Sequence, residues 1–475
     1  MDPILYWNAV ALEAERHTHT AGAAEESEVQ GPAGSSRALA IVHLAMHDAY
    51  FGIHPGYQPY LGERLSRPAP GASSDAAVAA AAHATLSQLY PTQRVAFDAA
   101  DAALNRAGSK AENDGYAYGR QVAQQLLAAR ANDPSVATGN YMVNPEPPHH
   151  RPDPQNPGQG VYAPYYGARS KAFACTVRHR AGQPPLPGDA DYQRALNQVR
   201  SKGIRPDLIG TLPAELLPSR TAGETAIGMF WAYDGQPLEG TPLRFYNLIV
   251  RQIAAAQGND VAKNARLFAL VNAALADAGI LCWADKFSYD LWRPVLGIRE
   301  AASVSKPSHL DDDVLGPDGQ VDWLPLGAPN TNNVGKSNRT PPFPSYPSGH
   351  ATFGGAAFQT VRHFYGQAAP GPDDLAQGLE FVSQELDGIS VDNLGAVRPR
   401  VVRQFPGGLW QMMQENGLSR VYLGVHWSFD AFALNENGEP DLSKNVGGVP
   451  LGIAIANDIA IHGLKASGAV GPATT

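Results

Sequence analysis

Three short stretches in the second half of the chain carry residue types that can bind and react with an oxyanion. The first is the tetrapeptide Pro347-Ser348-Gly349-His350, which follows a proline-rich segment and leads into a stretch over 351–362 that is predicted to be a helix. Proline disfavours helix and central strand, so we expect a stiff loop that delivers the tetrapeptide to a helix N-terminus. Free backbone N–H groups and a partial positive charge at such an end suit an anion, and His350 can exchange a proton there. An ordinary capped helix with a histidine in its first turn explains the tetrapeptide equally well.

The second stretch carries two cations, Lys286 and Arg293, seven positions apart. Seven residues are two helical turns, so a continuous helix would place both cations on one face. Buried cations require an anion or carboxylates to neutralise them. Asp285 and Asp290 are nearby carboxylates, so an ordinary salt-bridged helix remains an alternative.

The third stretch contains Arg420, His426 and Asp430. Arg420 and His426 are six positions apart and do not share a face of one straight helix, but a turn near Gly424 would let both reach one centre. His426 and Asp430 are four apart, so the carboxylate can hold the imidazole through one ring nitrogen and leave the other as a ligand or nucleophile. A packed histidine beside a capping arginine is the alternative.

Together the three stretches supply the groups that grip a tetrahedral oxyanion. Cations and N–H or O–H donors stabilise charge on its equatorial oxygens, one histidine can sit on its axis, and the other can manage protons. The donors are Lys286, Arg293, Arg420, the Ser348 hydroxyl and the Gly349 N–H, and the histidines are His350 and His426. A non-catalytic oxyanion-binding bundle would keep the cations but would not need His350.

The elements that must position these groups are helices. Apolar residues at helical spacing predict helices over 4–15, 36–51, 75–89, 91–104, 115–131, 189–201, 222–233, 241–257 and 261–285. Alternation typical of strands is scarce, so we predict an all-α fold of two packed helix bundles with long loops. The Pro- and Gly-rich stretch over 133–170 is predicted to be a surface loop that divides an N-terminal bundle (1–200) from a C-terminal bundle (201–475) carrying the oxyanion site.

Composition excludes several function classes. A net charge of −9 over 475 residues argues against a nucleic-acid or anionic-membrane partner. We find no secretory signal, and the most apolar stretch, 267–283, contains Asn272 and Asp277 and is too short for a transmembrane helix, so a soluble chain is expected. Export to the periplasm or outside the cell by another route is left open, as is the oligomeric state.

Other cysteines and histidines are expected to be structural. Cys175 and Cys282 form no Cys-x-x-Cys pair, which argues against a zinc ribbon, while a single disulfide stays open. His43 and His47 share one face of a predicted helix, and we favour buried structural histidines over a metal site. The adjacent pair over 149–150 is expected to be solvated in the long loop.

The spacing patterns Lys-x6-Arg-Pro, Pro-Ser-Gly-His and Ser-Arg-x5-His-x3-Asp resemble the signature of a known superfamily. It joins vanadium-dependent haloperoxidases and type 2 phosphatidic acid phosphatase-like acid phosphatases. Beyond the pocket the chain is similar to the fungal vanadium chloroperoxidases over 4–20, 36–53, 230–253, 265–294, 341–362, 419–431 and 447–464. Trp283 and Phe343 match the aromatic positions on their halide side, and Asp234 matches an aspartate that pairs with the anion-binding arginine, here Arg420. The chain departs from the fungal pattern after Asp430, where it is shorter, so we expect a different channel mouth.

This resemblance implies a vanadate cofactor bound axially by His426, with its oxygens held by Lys286, Arg293, Ser348, Gly349 and Arg420. The implied reaction uses hydrogen peroxide to oxidise chloride or bromide to hypohalous acid, which halogenates small organic acceptors. His350 would accept a proton, and Lys286 would polarise the bound peroxide. The alternative that the superfamily allows is an acid phosphatase, in which His426 forms a phosphohistidine and His350 protonates the leaving group.

Overall fold

The computed structural model describes residues 1–20, 29–134, 136, 141–301 and 319–464. Within these residues the prediction of an all-α fold is confirmed, because the strands form only two short antiparallel pairs. The helices of the first half are α1 (Pro3–Thr18), α2 (Gly31–Ile53), α3 (Ser74–Leu89), α4 (Arg94–Ala102), α5 (Lys110–Ala129), α6 (Tyr166–Arg169), α7 (Ala190–Lys202) and α8 (Ala222–Phe230). Those of the second half are α9 (Pro242–Ala256), α10 (Val261–Tyr289), α11 (Pro294–Arg299), α12 (Gly349–Phe364), α13 (Gly408–Tyr422) and α14 (Gly448–His462). Strand β1 (Phe381–Val382) pairs with β2 (Val402–Arg403), and β3 (Ala433–Leu434) pairs with β4 (Pro440–Asp441).

Several helices begin where the local sequence supplies a cap. The Asp2 carboxylate accepts the N–H groups of Ile4 and Leu5 at 2.8 and 3.0 Å, and Pro3 occupies the first position of α1, where its missing N–H costs nothing. Helices α5 and α8 each begin with a capping box. In it the side chain of a Ser or Thr accepts the backbone N–H of a Glu three residues later, and the Glu side chain accepts the backbone N–H of the Ser or Thr. These ends are therefore specified by residues within one turn.

Helix α10 is the centre of the molecule. It packs against α2 on one side and against α12, α14 and α6 on the other. By length and composition it is the one described helix that could cross a membrane, but 89% of its apolar window is buried inside the protein. The prediction of a central helix is confirmed, since burial on all sides explains why α10 is apolar nearly all round.

A closely packed helix pair carries the N-terminus of α12. Helices α12 and α14 approach so closely that a Cβ at Gly452 would clash with the Thr352 carbonyl oxygen, and one at Gly355 would lie 2.8 Å from the Val449 carbonyl oxygen. Glycine at both positions lets the two backbones touch. This contact fixes the direction in which the start of α12 points.

Two expectations about the stretch over 133–170 are wrong in part. Most of its described residues are irregular, as predicted, but α6 lies within it and Tyr166 is buried against the core, so it is more than a surface loop. His150 is 2% exposed rather than solvated, because the backbone around it pairs with the end of α10, where its N–H donates to the Asp290 carbonyl oxygen at 2.9 Å. His149 is half-buried and bonds the Asp290 carboxylate at 3.0 Å. The division of the chain at residue 200 stays a prediction.

The remaining histidines and cysteines behave as structural residues. Nδ1 of the buried His43 donates to the Leu39 carbonyl oxygen at 2.7 Å, and its Nε2 accepts from Asn8 at 2.8 Å. His47 is equally buried and pairs with Asp48 at 3.0 Å. Both cysteines are buried and free, so the disulfide left open by the sequence does not form.

Candidate active site

Four segments converge on one cavity of about 480 Å3. They are the C-terminal turns of α10, the proline-rich loop over 341–347, the N-terminus of α12, and the turn that follows α13. The cavity is lined at its inner end by Trp283, Phe343, Gly349, His350, Arg420 and His426. The three sequence stretches singled out for their chemistry therefore meet in space.

The two cations of the second stretch do not share a helix face, so that expectation is wrong. Helix α10 ends at Tyr289 because Asp290 adopts a left-handed conformation with φ +50°. Arg293 has the extended backbone (φ −83°, ψ 158°) of the residue that caps α11, as the following Pro294 requires. Lys286 and Arg293 instead reach the pocket from two sides of a chain reversal.

Lys286 is fully buried against the proline-rich loop. Its Nζ donates to the carbonyl oxygens of Pro344, Ser345 and Pro347 at 2.9, 2.9 and 2.6 Å. Burial lowers the pKa of this amine to about 7. Asp285 does not neutralise it, because that carboxylate pairs with Arg180 at 2.9 Å. The salt-bridged helix considered as an alternative is therefore absent here.

His426 and Asp430 form a buried pair beside Arg293. Nδ1 of His426 donates to the Asp430 carboxylate at 2.7 Å, which leaves the lone pair on Nε2 to accept from Nη1 of Arg293 at 2.8 Å. Burial, reinforced by the charge of Arg293, lowers the pKa of His426 well below its usual value, so the ring is neutral near pH 7. Burial raises the pKa of Asp430 to about 7, against the opposing charges of Lys286 and Arg293. The positive φ of Gly424, +74°, makes the turn that brings this segment back to the pocket.

Arg420 meets Asp234 across the cavity wall. Its Nη2 donates to the two carboxylate oxygens at 2.9 and 3.0 Å, although the residues lie 186 positions apart. Nε and Nη1 of Arg420 are buried without a partner among the described residues, and so is Nη2 of Arg293. A buried guanidinium donor left unpaired costs about 1–3 kcal/mol or more, so these three nitrogens indicate a site prepared for an anion.

His350 faces the same pocket from the first turn of α12. Its Nε2 lies 2.6 Å from the Ala232 carbonyl oxygen, which can only accept, so the proton is on Nε2 and Nδ1 keeps a free lone pair. Burial and the Arg420 charge lower the pKa of His350 to about 3. A neutral base therefore stands beside the unpaired donors.

Ser348 and Gly349 supply the helix-end donors. Ser348 is the N-cap of α12, where its Oγ accepts the Ala351 N–H at 3.5 Å and its hydroxyl hydrogen remains free to donate. Gly349 is the first helical residue, so its N–H has no acceptor within the helix. A Cβ at this position would be in ordinary van der Waals contact with the Trp283 ring, at 3.5 Å.

Two aromatic rings cover the cations on one side. The Trp283 and Phe343 ring centroids are 5.0 Å apart, and the Phe343 ring lies 5.2 Å from Nζ of Lys286 and 5.0 Å from Cζ of Arg293. Rings over the cations keep water from that side of the pocket and strengthen its electrostatic field. With three cations and the two carboxylates of Asp234 and Asp430, the pocket carries a net positive charge when all are ionised, which again favours an anion.

The structure also reveals supporting groups that the sequence analysis missed. The Ala232 carbonyl orients His350, and the carbonyl of His350 itself accepts from Asn416 at 2.8 Å and Tyr246 at 3.3 Å. Arg339 lies at the cavity wall and donates to the Asp234 carbonyl oxygen at 3.0 Å. Backbone acceptors have no residue-type signature, so nothing in the sequence pointed to Ala232.

Comparisons with known proteins agree with this geometry. The family model of the vanadium chloroperoxidase N-terminal domain matches residues 1–165, and that of the VCPO second helical-bundle domain matches 266–441. The chain is 36% identical to the vanadium chloroperoxidase of Curvularia inaequalis over 571 aligned residues, which cover 97% of this chain and 90% of that protein.

Solved structures show the same fold at lower identity. A bacterial vanadium-dependent iodoperoxidase superposes with a TM-score of 0.66 at 18% identity, covering 97% of this chain and 96% of that one. The holo form of a bacterial vanadium-dependent chloroperoxidase gives a TM-score of 0.61 at 16% identity, covering 91% and 93% of the two chains.

Proposed function

The chain belongs to the vanadium haloperoxidase family, and from this membership we propose that it uses hydrogen peroxide to oxidise chloride and bromide to hypohalous acid. Hypohalous acid then halogenates small organic acceptors that reach the channel. The cofactor of the family is vanadate, and when bound it supplies a Lewis-acid centre that activates peroxide without a change in its own oxidation state.

The observation that carries this proposal is the set of three buried guanidinium nitrogens without partners, on Arg293 and Arg420. They fit an oxyanion, because an anion satisfies several N–H donors at once and is held most tightly by charged ones. Arg293, Arg420, Lys286, Ser348 and the Gly349 N–H would hold the oxygens of vanadate. Nε2 of His426 would be the vanadium ligand, since Asp430 keeps the proton on the other ring nitrogen.

His350 is the proton acceptor in this proposal. Its bare Nδ1 can take a proton from hydrogen peroxide as it enters, and the bond from Nε2 to the Ala232 carbonyl keeps the ring in the required tautomer. In the free pocket the low pKa of His350 keeps this base unprotonated. The negative charge of a bound anion would raise that pKa toward the pH at which the enzyme works.

Lys286 and the aromatic pair set up the oxidation of halide. The three N–H groups of Lys286 already donate to backbone carbonyls, so the ammonium acts through its charge, which withdraws electron density from a nearby oxygen and makes that oxygen a better target for a halide anion. Trp283 and Phe343 leave an apolar, water-poor side from which the halide can approach, and a poorly hydrated halide is a better nucleophile. We therefore propose that chloride, and not bromide alone, is oxidised.

The test is a halogenation assay on purified apoprotein with hydrogen peroxide, with and without orthovanadate, using chloride, bromide and iodide in parallel. Vanadate-dependent turnover of chloride and bromide supports the full proposal. Turnover of iodide alone would agree with a haloperoxidase reaction but would contradict the proposed oxidation of chloride and bromide.

Hydrolysis of phosphate esters is the second candidate. The lone pair that Asp430 leaves on Nε2 of His426 is also what a nucleophile needs to form a phosphohistidine. A phosphate ester assay with the same preparation separates the two activities. Efficient hydrolysis without any halogenation would replace the haloperoxidase proposal by a phosphatase.

A further inference from the structure

A second group of potential ligands lies outside the oxyanion pocket. Cys175 and His179, on the segment after α6, approach Asp458 on α14 so that one ligand atom from each lies within 4.8 Å of the other two. We propose that these three residues form a zinc site, with His462 as an outer hydrogen-bond partner of the Asp458 carboxylate.

The spacing supports a site made from two segments. Cys175 and His179 are four positions apart, and Asp458 and His462 are four apart on one face of α14. Nε2 of His179 lies 2.9 Å from one Asp458 oxygen, and Nδ1 of His462 lies 2.7 Å from the other. The carboxylate therefore lies between the two imidazoles, so His462 can hold one Asp458 oxygen while the other oxygen lies beside His179 and Cys175.

The ligand types select the metal. One thiolate, one imidazole and one carboxylate suit zinc, which is borderline in softness and binds sulfur, nitrogen and oxygen ligands in tetrahedral sites. A water would complete the four ligands. Calcium and magnesium prefer oxygen ligands and would leave the sulfur unused.

A divalent ion would bind Cys175 as the thiolate, because it stabilises the thiolate and the adjacent Asp458 carboxylate together. It would also replace the His179 N–H group that Asp458 accepts in the metal-free arrangement.

The cluster is held in place by bonds that do not involve the proposed ligand atoms of Cys175 and His179. Asp277 of α10 accepts the N–H groups of Ala174 and Cys175 at 2.8 and 2.7 Å, and Thr176 donates its N–H to Asp458 at 2.9 Å. The rings of His179 and His462 are 23% and 43% exposed, which gives an ion a route from solvent. The site is thus preorganised and accessible.

The cluster is separate from the oxyanion pocket. Asp277 lies nine residues before Lys286 on α10, about 13 Å along the helix axis. Its role is to fasten the segment over 173–179 to the end of α14. The alternative is that Asp458 is only a hydrogen-bonding hub, with all of its partners already in the chain.

The experiment measures zinc binding by the full-length chain after treatment with a chelator. Zinc titration, elemental analysis and the thiolate-to-metal absorption of the cobalt-substituted protein are recorded for wild type, Cys175→Ser and His462→Ala. His363→Gln is the matched control, because His363 contacts Asn457 on α14 at 2.6 Å but is not part of the cluster.

We expect one zinc per wild-type chain, with a thiolate signature for cobalt that is lost in Cys175→Ser. In His462→Ala zinc affinity should fall by roughly tenfold or more, the usual cost of losing an outer partner of a metal ligand. His363→Gln should bind zinc as wild type does. His462→Ala decides the matter if Cys175→Ser does not fold, since this ring is partly exposed. Absence of zinc binding, cobalt binding without the thiolate absorption, or unchanged affinity in His462→Ala would overturn the proposal.

Discussion

The Asp430 carboxylate accepts a hydrogen bond from Nδ1 of His426 at 2.7 Å, and the same oxygen accepts the backbone N–H of Trp427 at 3.0 Å. Because a carboxylate can only accept, this contact puts the ring proton on Nδ1 and leaves the lone pair on Nε2, the nitrogen that faces the cations. The bond to the Trp427 backbone keeps Asp430 from turning away. The proposed vanadium ligand is thus fixed in both tautomer and orientation before any cofactor arrives.

Asp430→Asn should weaken vanadate binding by about 10- to 100-fold, the usual cost of losing an outer partner of a metal-bound histidine. An amide can present its NH2 group to Nδ1 and so favour the wrong tautomer. Equilibrium dialysis of apoprotein against vanadate measures the change, with His426→Ala as the variant that removes the ligand itself. Wild-type affinity in Asp430→Asn would show that this carboxylate does not govern the site.

His350→Gln should separate binding from turnover. His350 contributes a proton acceptor rather than a cation, since its pKa in the free pocket is about 3. We expect vanadate affinity within a few-fold of wild type, while halogenation falls by about 10²- to 10⁴-fold, the range of general acid–base catalysis. Dialysis and steady-state halogenation on the same preparation give both numbers. Loss of affinity equal to the loss of turnover would make His350 a binding residue instead.

Phe343→His should affect chloride oxidation more than bromide oxidation. A polar ring brings water to the side of the pocket that Phe343 and Trp283 now keep dry, and chloride, which is harder to oxidise, tolerates hydration less. We expect a loss of roughly 10-fold or more in kcat/KM for chloride, comparable to other changes in an apolar pocket. Phe343→Leu, which keeps the lining apolar, is the control. Equal losses for both halides would contradict a selective role for this ring.

The buried His43 should make the protein less stable as the pH falls. Burial lowers its folded-state pKa to about 4 from an ordinary value of 6.5, so the unfolded chain binds more protons between these two values. Its contribution is fully present above pH 6.5 and declines by about 1.4 kcal/mol per pH unit down to pH 4, roughly 3 kcal/mol in all. Urea unfolding from pH 7 to 4 gives the free energy of unfolding at each pH. In His43→Gln this free energy should fall less steeply with pH than in wild type, by the equivalent of one bound proton. The matched change His54→Gln, at an exposed ring just beyond the same helix, controls for the loss of one imidazole from the chain.

A large part of the fold was predictable because its signals are local. Helical spacing of apolar residues located α10 and most other helices, and the apolar character of α10 on all sides indicated its central position. The four-residue spacing of His426 and Asp430 and the glycine at 424 likewise anticipated a contact and a turn that depend on a few neighbouring residues.

Contacts between distant segments could not be predicted in the same way. The α10 helix might have continued through Arg293 by spacing alone, but Asp290 and Pro294 end it and send Arg293 into the pocket from another side. The burial of His150 depends on pairing of its backbone with residues 140 positions later.

By itself, then, the sequence determined the helices, the chemical inventory of the pocket and the resemblance on which the cofactor rests, since these depend on residue type and short spacing. Only the tertiary structure decided how these groups are used. It showed that the Ala232 carbonyl sets the tautomer of His350 and that the Asp234 contact implied by the resemblance uses one nitrogen of Arg420. The other two nitrogens of that guanidinium have no partner among the described residues. The physical reason is that a donor's partner is set by the packing of segments far apart in the chain, which no local pattern records.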